Sequence, residues 1–303
     1  MTIDISKGLF LSDGCVVSKN VLLIAAGFNS DPDQESSRVI FNLEGQWRHF
    51  DIEVDAVISA TANGNLGYVI ASNGSAFEIP LASDITHKEV GDKIRSWVIE
   101  SAVDFGELTR VRSIAGIPHC CGQSGQIYRL AKSKWVRADH GLRSNEGPSI
   151  EDIDGFNSDD LYVVGLRGSM HHFDGAKWRQ IELPTNLNLS NIRCGSDGVC
   201  YACGDSGLLL KGRGDSWSIV GDLEVDKNYW GLDIFQGEVY LSHSRGIDRL
   251  DGNEIVALNI GVADKITFNR IHSFDNQLWS FGTDNMLKFE DNSWTSIEIP
   301  LRN

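Results

Sequence analysis

Asp152 and Asp154 lie two residues apart in the run Ile150-Glu151-Asp152-Ile153-Asp154-Gly155-Phe156. On an extended strand such a pair shares one face, and two carboxylates at a set separation are what glycosidic-bond hydrolysis uses. The pattern of polar residues around an apolar anchor recurs along the chain: Arg110 and Arg112 flank Val111, Asn191 and Arg193 flank Ile192, Asp233 follows Leu232, and Arg270 and His272 flank Ile271. Tyr229 and Trp230 lead into the sixth copy of the repeat. Arginines and a tryptophan gathered at the mouth of a pocket could anchor a ligand or a partner's side chain. The plainer reading is a water-filled channel whose wall residues pair with one another.

The cysteines invite a metal reading that the repeat argues against. Cys194, Cys200 and Cys203 cluster in sequence, as zinc ligands do. Yet Cys200 occupies the place that Leu161 and Leu278 fill in other copies, and Cys203 the place of Val164, Ile70 or Phe281. They read as small core residues, and on a strand Cys200 and Cys203 point to opposite faces. Cys120-Cys121 alternate in the same way, and His171-His172 sits on a strand without a ligand cluster in register. No nucleophile elbow and no phosphate-binding glycine loop before a helix is present. The sequence therefore assigns no catalytic residue, no metal ligand and no cofactor.

What positions these residues is a repeat of about 40 residues. From Ile150 it comprises four short apolar runs, strands A to D, separated by turns: Ile150–Phe156, Leu161–Gly165, Ser169–Phe173 and Lys177–Ile181. Gly168, Gly207, Gly246 and Asn285, in the loops between strands B and C, are spaced 39 residues apart. Three earlier copies are looser. Seven copies result, over approximately 15–52, 53–90, 108–142, 150–185, 189–222, 229–260 and 268–300. The apolar anchors of strand A are read as Val57, Val111, Ile153, Ile192, Leu232 and Ile271. A lone four-stranded sheet cannot bury both faces, whereas seven around an axis can. The expected fold is all-β, a single seven-bladed β-propeller of four-stranded antiparallel blades over 1–303, with Thr2–Ile5 as a candidate latch on the last blade.

The run Asp160-Leu161-Tyr162-Val163-Val164-Gly165, then Gly168, Asp174-Gly175 and Trp178, resembles the repeats of bacterial propellers of the photosystem II assembly factor type and related sialidase-like (BNR-type) repeats. The resemblance covers most of the chain and implies a fold, not a chemistry; as a role it implies a scaffold or assembly factor. WD-repeat proteins are less similar, since no Trp-Asp dipeptide closes strand C, and Asp174 abuts Gly175 directly where the sialidase Asp-box inserts a residue. A sialidase would also need an arginine cluster and a tyrosine nucleophile; Arg110, Arg193 and Arg270 qualify by location alone.

Two stretches exceed the repeat: 28–37 in the B–C loop of the first copy, with Phe28, Asp31 and Asp33, and 88–107 after the second, where Ile94, Trp97 and Val98 have helix-like spacing. Long loops on a rigid scaffold are where binding function concentrates, and both stretches should share one rim. The net charge of −15 and pI near 4.9 would repel a phosphate backbone and suit a basic protein partner. No secretory signal or membrane span is legible, so the expected state is a cytoplasmic monomer bound to neither nucleic acid nor membrane. The expected function is non-enzymatic protein binding, most concretely by an inhibitor or immunity protein that neutralises a bacterial toxin. A scaffold, and a glycan-acting hydrolase or lyase with its site at the channel mouth, are the alternatives.

Overall fold

The computed structural model describes residues 8–28, 36–54, 56–82, 85, 87–224, 226–261 and 266–299. They form seven four-stranded antiparallel sheets, each built from strands consecutive in the chain. The inner strands are Leu9–Ser18, Val57–Asn63, Leu108–Ile114, Ile150–Asn157, Leu189–Cys194, Tyr229–Phe235 and Arg270–Phe274. Each neighbours the next, and the seventh neighbours the first, so the sheets close into a ring. The protein is a seven-bladed β-propeller.

Burial follows the radial layout. Central strands such as Leu66–Ala71, Asp160–Gly165 and Cys200–Gly204 are almost wholly buried, while outer strands such as Trp178–Gln180 and Ser216–Ile219 are largely open. The apolar core divides into clusters lying between successive blades. Tyr162, Val164 and Met170 of blade 4 pack on Ile192, Ala202 and Leu210 of blade 5. Leu9, Leu11 and Ile24 of blade 1 pack on Trp279, Phe281 and Met286 of blade 7. Each fully buried Leu or Ile contributes roughly 1.5–3 kcal/mol, so the ring is held by what lies between blades.

Glycine is demanded where blades meet. At Gly165 and Gly204, the last residues of two B strands, a Cβ would sit 1.8 and 1.9 Å from the carbonyls of Ser149 and Asn188, in the connection leading into the same blade. Those carbonyls accept N–H bonds from Leu166 and Asp205, both at 3.1 Å. Closure relies on a related contact: a Cβ on Gly14 would fall 2.5 Å from the Phe281 ring. Leu11 N–H also donates to the Thr283 carbonyl at 2.7 Å. The candidate latch Thr2–Ile5 lies outside the described residues.

The two faces of the ring differ in what they carry. The A–B and C–D turns form a hairpin face; the B–C loops and blade-to-blade connections form a crossover face. The stretch 88–107 divides between them. A short helix, His87–Lys93, lies in the C–D connection of blade 2, on the hairpin side, with Val90 buried between blades 1 and 2. Arg95–Val98 is blade 2's own outer strand, paired with Ser75–Pro80. Ile94, Trp97 and Val98 are thus not on a helix: the β-ladder takes Trp97 and Val98, and Ile94 links helix to strand. Only 99–107 belongs to the crossover side, where Phe28 ends one strand and Ser37 opens the next, so the 88–107 stretch does not lie on one rim as a whole; 29–35 lie outside the described residues.

Candidate functional site

The inner strands line the channel in two tiers. The tier nearer the crossover face holds Asp13, Ser59, Arg110, Asp152, Asn191 and Arg270; two residues further along each strand lie Thr61, Arg112, Asp154, Arg193, Asp233 and His272. Between the tiers sit the buried anchors Ala60, Val111, Ile153, Ile192, Leu232 and Ile271, with Gly14 in blade 1. Extended backbone turns alternate residues to the axis, which is why a polar–apolar–polar triplet builds the wall. Val57 is therefore not the equivalent anchor in blade 2, although it is buried; Ala60 is.

These polar groups tie each blade to the next. Asp13 Oδ2 accepts from Ser59 Oγ at 2.7 Å and Ala60 N–H at 3.2 Å. Ser59 Oγ accepts from Val111 N–H and Thr61 Oγ1 from Ser113 N–H. Arg112 grips Asp152 in a two-pronged pair at 3.0 and 2.7 Å. Asp152 Oδ2 also accepts from Ile192 N–H, and Asp154 Oδ2 from Cys194 N–H. Arg193 donates to Asp233 at 3.1 Å, Asp233 accepts from Ser273 N–H, and His272 Nδ1 accepts from Val16 N–H at 3.2 Å, back in blade 1.

Electrostatics agrees with this ring of ties. Burial pushes the Asp152 carboxyl up, but Arg112 and Arg110 outweigh it and hold the group at about 2. Asp13 and Asp233 are likewise held below the ordinary carboxylate range: burial opposes, while Arg110 and Arg193 respectively win. Burial raises Asp154 despite Arg193 and Arg112. It pushes His272 down to about 4, against the pull of Asp233. Arg270, buried and facing Arg110, falls to about 10, and it donates to the Trp230 carbonyl.

Arg110, Arg112, Asp152, Asp154, Arg193, Asp233, Arg270 and His272 thus come together around the channel. Tyr229 does not join them: it is 1% exposed and packs between blades 5 and 6, donating from its hydroxyl to Asp248 Oδ2 at 2.6 Å. Lys227 Nζ reaches the same carboxylate at 2.9 Å. Trp230 is 42% exposed on the crossover side. Phe28 ends strand B of blade 1 under the Arg38 guanidinium. Trp97 packs between blades 2 and 3 and donates from Nε1 to the Ser133 carbonyl at 2.9 Å. Asp31 and Asp33 lie outside the described residues. Asp13, Ser59 and Thr61 are wall residues that the sequence reading passes over; the polar pattern around Gly14 and Ala60 is their only signal, and neither anchor is large.

The hairpin-side mouth is a cavity of about 230 Å³ lined by Thr61, Arg112, Asp154, Arg193, His272 and Phe274, among others. Its polar side chains are already engaged with neighbouring blades. Among the cysteines, Cys194 and Cys200 face each other across paired strands with sulfurs 3.1 Å apart, whereas Cys203 packs in the next blade interface.

The chain is 33% identical over 198 residues to the immune protein Tsi7 of Pseudomonas aeruginosa PAO1. The match covers 64% of this chain and 65% of that protein, so it spans just under two thirds of the relative's length. No family model matches. Solved structures of similar shape include YCF48 bound to D1 peptide, with a TM-score of 0.71 at 15% identity over 96% of this chain and 94% of that one. The WD40 β-propeller domain of Doa1 gives 0.70 at 11% identity over 95% and 94%. YCF48 from Cyanidioschyzon merolae gives 0.57 at 12% over 79% and 83%. At these identities the likeness is one of fold, and the resemblance to the photosystem II assembly factor repeats holds at that level.

Proposed function

We propose that this chain is a protein-binding propeller that serves as an immunity protein, neutralising a bacterial toxin by holding it in a complex. The observation that carries this reading is the 33% identity over 198 residues to a protein named for immunity. The wall chemistry supports it from the other side. Asp152 and Asp154, the pair whose spacing suits glycoside hydrolysis, both accept backbone N–H groups of blade 5, and Asp152 is clamped by Arg112. Glycoside hydrolysis needs two available carboxylates; Asp154 is raised and lines the mouth, but Asp152 is 0% exposed and held at about 2. In this reading the protein is a cytoplasmic monomer and its partner a basic protein. No helix is long and apolar enough to cross a membrane among the described residues.

Co-expression tests it. Cells producing a toxin of the native host should survive when this chain is present and die when it is absent, and the two proteins should co-elute. Death with every candidate toxin of that host overturns the reading.

A further inference from the structure

We infer that the crossover face is the docking surface, and that its occupant is a folded protein presenting cationic side chains together with apolar contacts. This deepens the immunity reading and rests on it.

The first observation is where apolar surface is left uncovered. Seven large apolar side chains are exposed among the described residues, and six of them stand on the crossover side: Val98, Val103, Leu166, Ile219, Leu223 and Trp230. Phe274 stands on the other. Val98 and Ile219 end outer strands, Leu166 is in a B–C loop, Val103 and Leu223 are in blade-to-blade connections, and Trp230 is at the start of an inner strand. Scattered apolar exposure is ordinary, but concentration on one face marks an interaction site.

The second observation is charge. Two of the connections that carry these side chains are acidic, while Arg137, Arg167 and Arg245 are the exposed arginines elsewhere on the same side. Glu100, Asp104 and Glu107 accompany Val103, and Asp222, Glu224 and Asp226 accompany Leu223; all six are exposed. The hairpin face mixes signs, with exposed Lys19, Lys132, Lys134 and Lys177 beside Glu44 and Asp291. Apolar side chains interspersed with carboxylates around one face fit a partner that offers apolar contacts together with basic groups. The excess of these carboxylates over the exposed arginines argues against a second copy of this chain, since two such faces would carry the same net sign.

The third observation is that the loops are built, not loose. Ala102 is fully buried beside Val103, Arg143 lies 4.3 Å over the Phe105 ring, and Gln126 Nε2 donates to the Gly106 carbonyl. On the other side of the mouth, Glu224 N–H donates to the Ser206 carbonyl at 2.8 Å, and Lys227 and Tyr229 are pinned to Asp248. Apolar side chains held outward on fixed backbone lose little freedom on binding. By contrast, Arg110, Arg112 and Arg193 of the channel wall are paired with Asp13, Asp152 and Asp233.

The test uses the full chain and the toxin whose lethality it suppresses, measured by binding and by survival. Leu223→Ala with Trp230→Ala, and separately Val98→Ser with Val103→Ser, should each weaken Kd by about 30-fold or more. Phe274→Ala should leave it unchanged. Glu100→Lys with Asp104→Lys, and Asp222→Lys with Asp226→Lys, should slow association about ten-fold at low salt and less at high salt. Loss with one apolar pair alone keeps the face and narrows it to that side. Protection and Kd within about three-fold of wild type for all crossover variants overturns the surface while leaving the immunity reading intact; so does loss with Phe274→Ala alone. A dimer of wild-type chain that Trp230→Ala dissociates would make the occupant a second copy and overturn the basic partner. A chain that suppresses no toxin overturns the reading beneath both.

Discussion

The channel wall and the crossover face are both rich in charge, and they use it in opposite ways. On the wall every carboxylate is answered: Asp13 by Ser59, Ala60 and Arg110, Asp152 by Arg112, Arg110 and Ile192, Asp233 by Arg193 and Ser273. On the crossover face exposed Glu100, Asp104, Asp222 and Asp226 stand beside uncovered Val103 and Leu223. A charge that is buried and answered is structure, because removing its partner leaves an unpaired ion in a poor solvent. A charge that is exposed beside apolar surface is available to something else. The density of Arg and Asp in the sequence points to the wall, whereas the proposed docking surface lies on the crossover face.

The sharpest way to break this contrast is Asp152→Ala. It leaves Arg110 and Arg112 without their shared carboxylate and should cost about 3–5 kcal/mol of stability, read from urea unfolding. Toxin binding by the remaining folded molecules should be unchanged. A binding defect without a stability defect would make the wall functional after all.

Acid should act on the wall next. His272 has its pKa lowered from 6.5 to about 4, so its neutral form stabilises the ring fully above pH 6.5, and that stability is lost as pH falls toward 4. The size is on the order of 3 kcal/mol. Asp152, lowered to about 2, contributes stability present above its ordinary value of 3.8 and lost as pH falls through 2. His119, also lowered to about 4 by burial, shares the first window. Melting curves from pH 7 to 4 should therefore fall, and less steeply in His272→Gln; an equal slope in that variant would show that His272 is not held neutral. A surface pair sets the lower bound. Arg38–Asp51, with Asp51 half exposed, should cost less than about 1 kcal/mol when Asp51 becomes Ala, and a larger loss would show that pairs outside the channel also hold the ring.

Much of the ring is legible in the sequence because its physics is local and repeated. Four copies keep a glycine or asparagine at a fixed interval, and just before it Gly165 and Gly204 close strand B where a Cβ would strike a neighbouring carbonyl. Blades 1 and 2 are harder to read. Gly14 is small because Phe281 fills the space beside it, and Ala60 is small as well, so the polar partners Asp13, Ser59 and Thr61 lose the apolar landmark between them. The outer strand Arg95–Val98 is obscured by the helix inserted before it, whose buried Val90 blends two periodicities. The wall residues are legible as types but not as ties, because the partners lie about forty residues away in the next blade, as Arg112 and Asp152 do, or farther, as Arg110 and Asp13 do. Tyr229 is misplaced for the same reason: its position in the chain puts it beside Trp230, while its side chain turns into the blade interface toward Asp248.

Every blade is made from one uninterrupted stretch of chain, and the first and last stretches meet at Leu9 and Ile299 in a common apolar cluster. A ring assembled this way has no privileged starting point. Joining the two stretches by a short linker and reopening the chain in the connection between blades 3 and 4, near Asn145, would give a circular permutant with the same seven sheets. Such a permutant would carry its termini on the crossover face, where they could be used to tether, or to obstruct, whatever settles there.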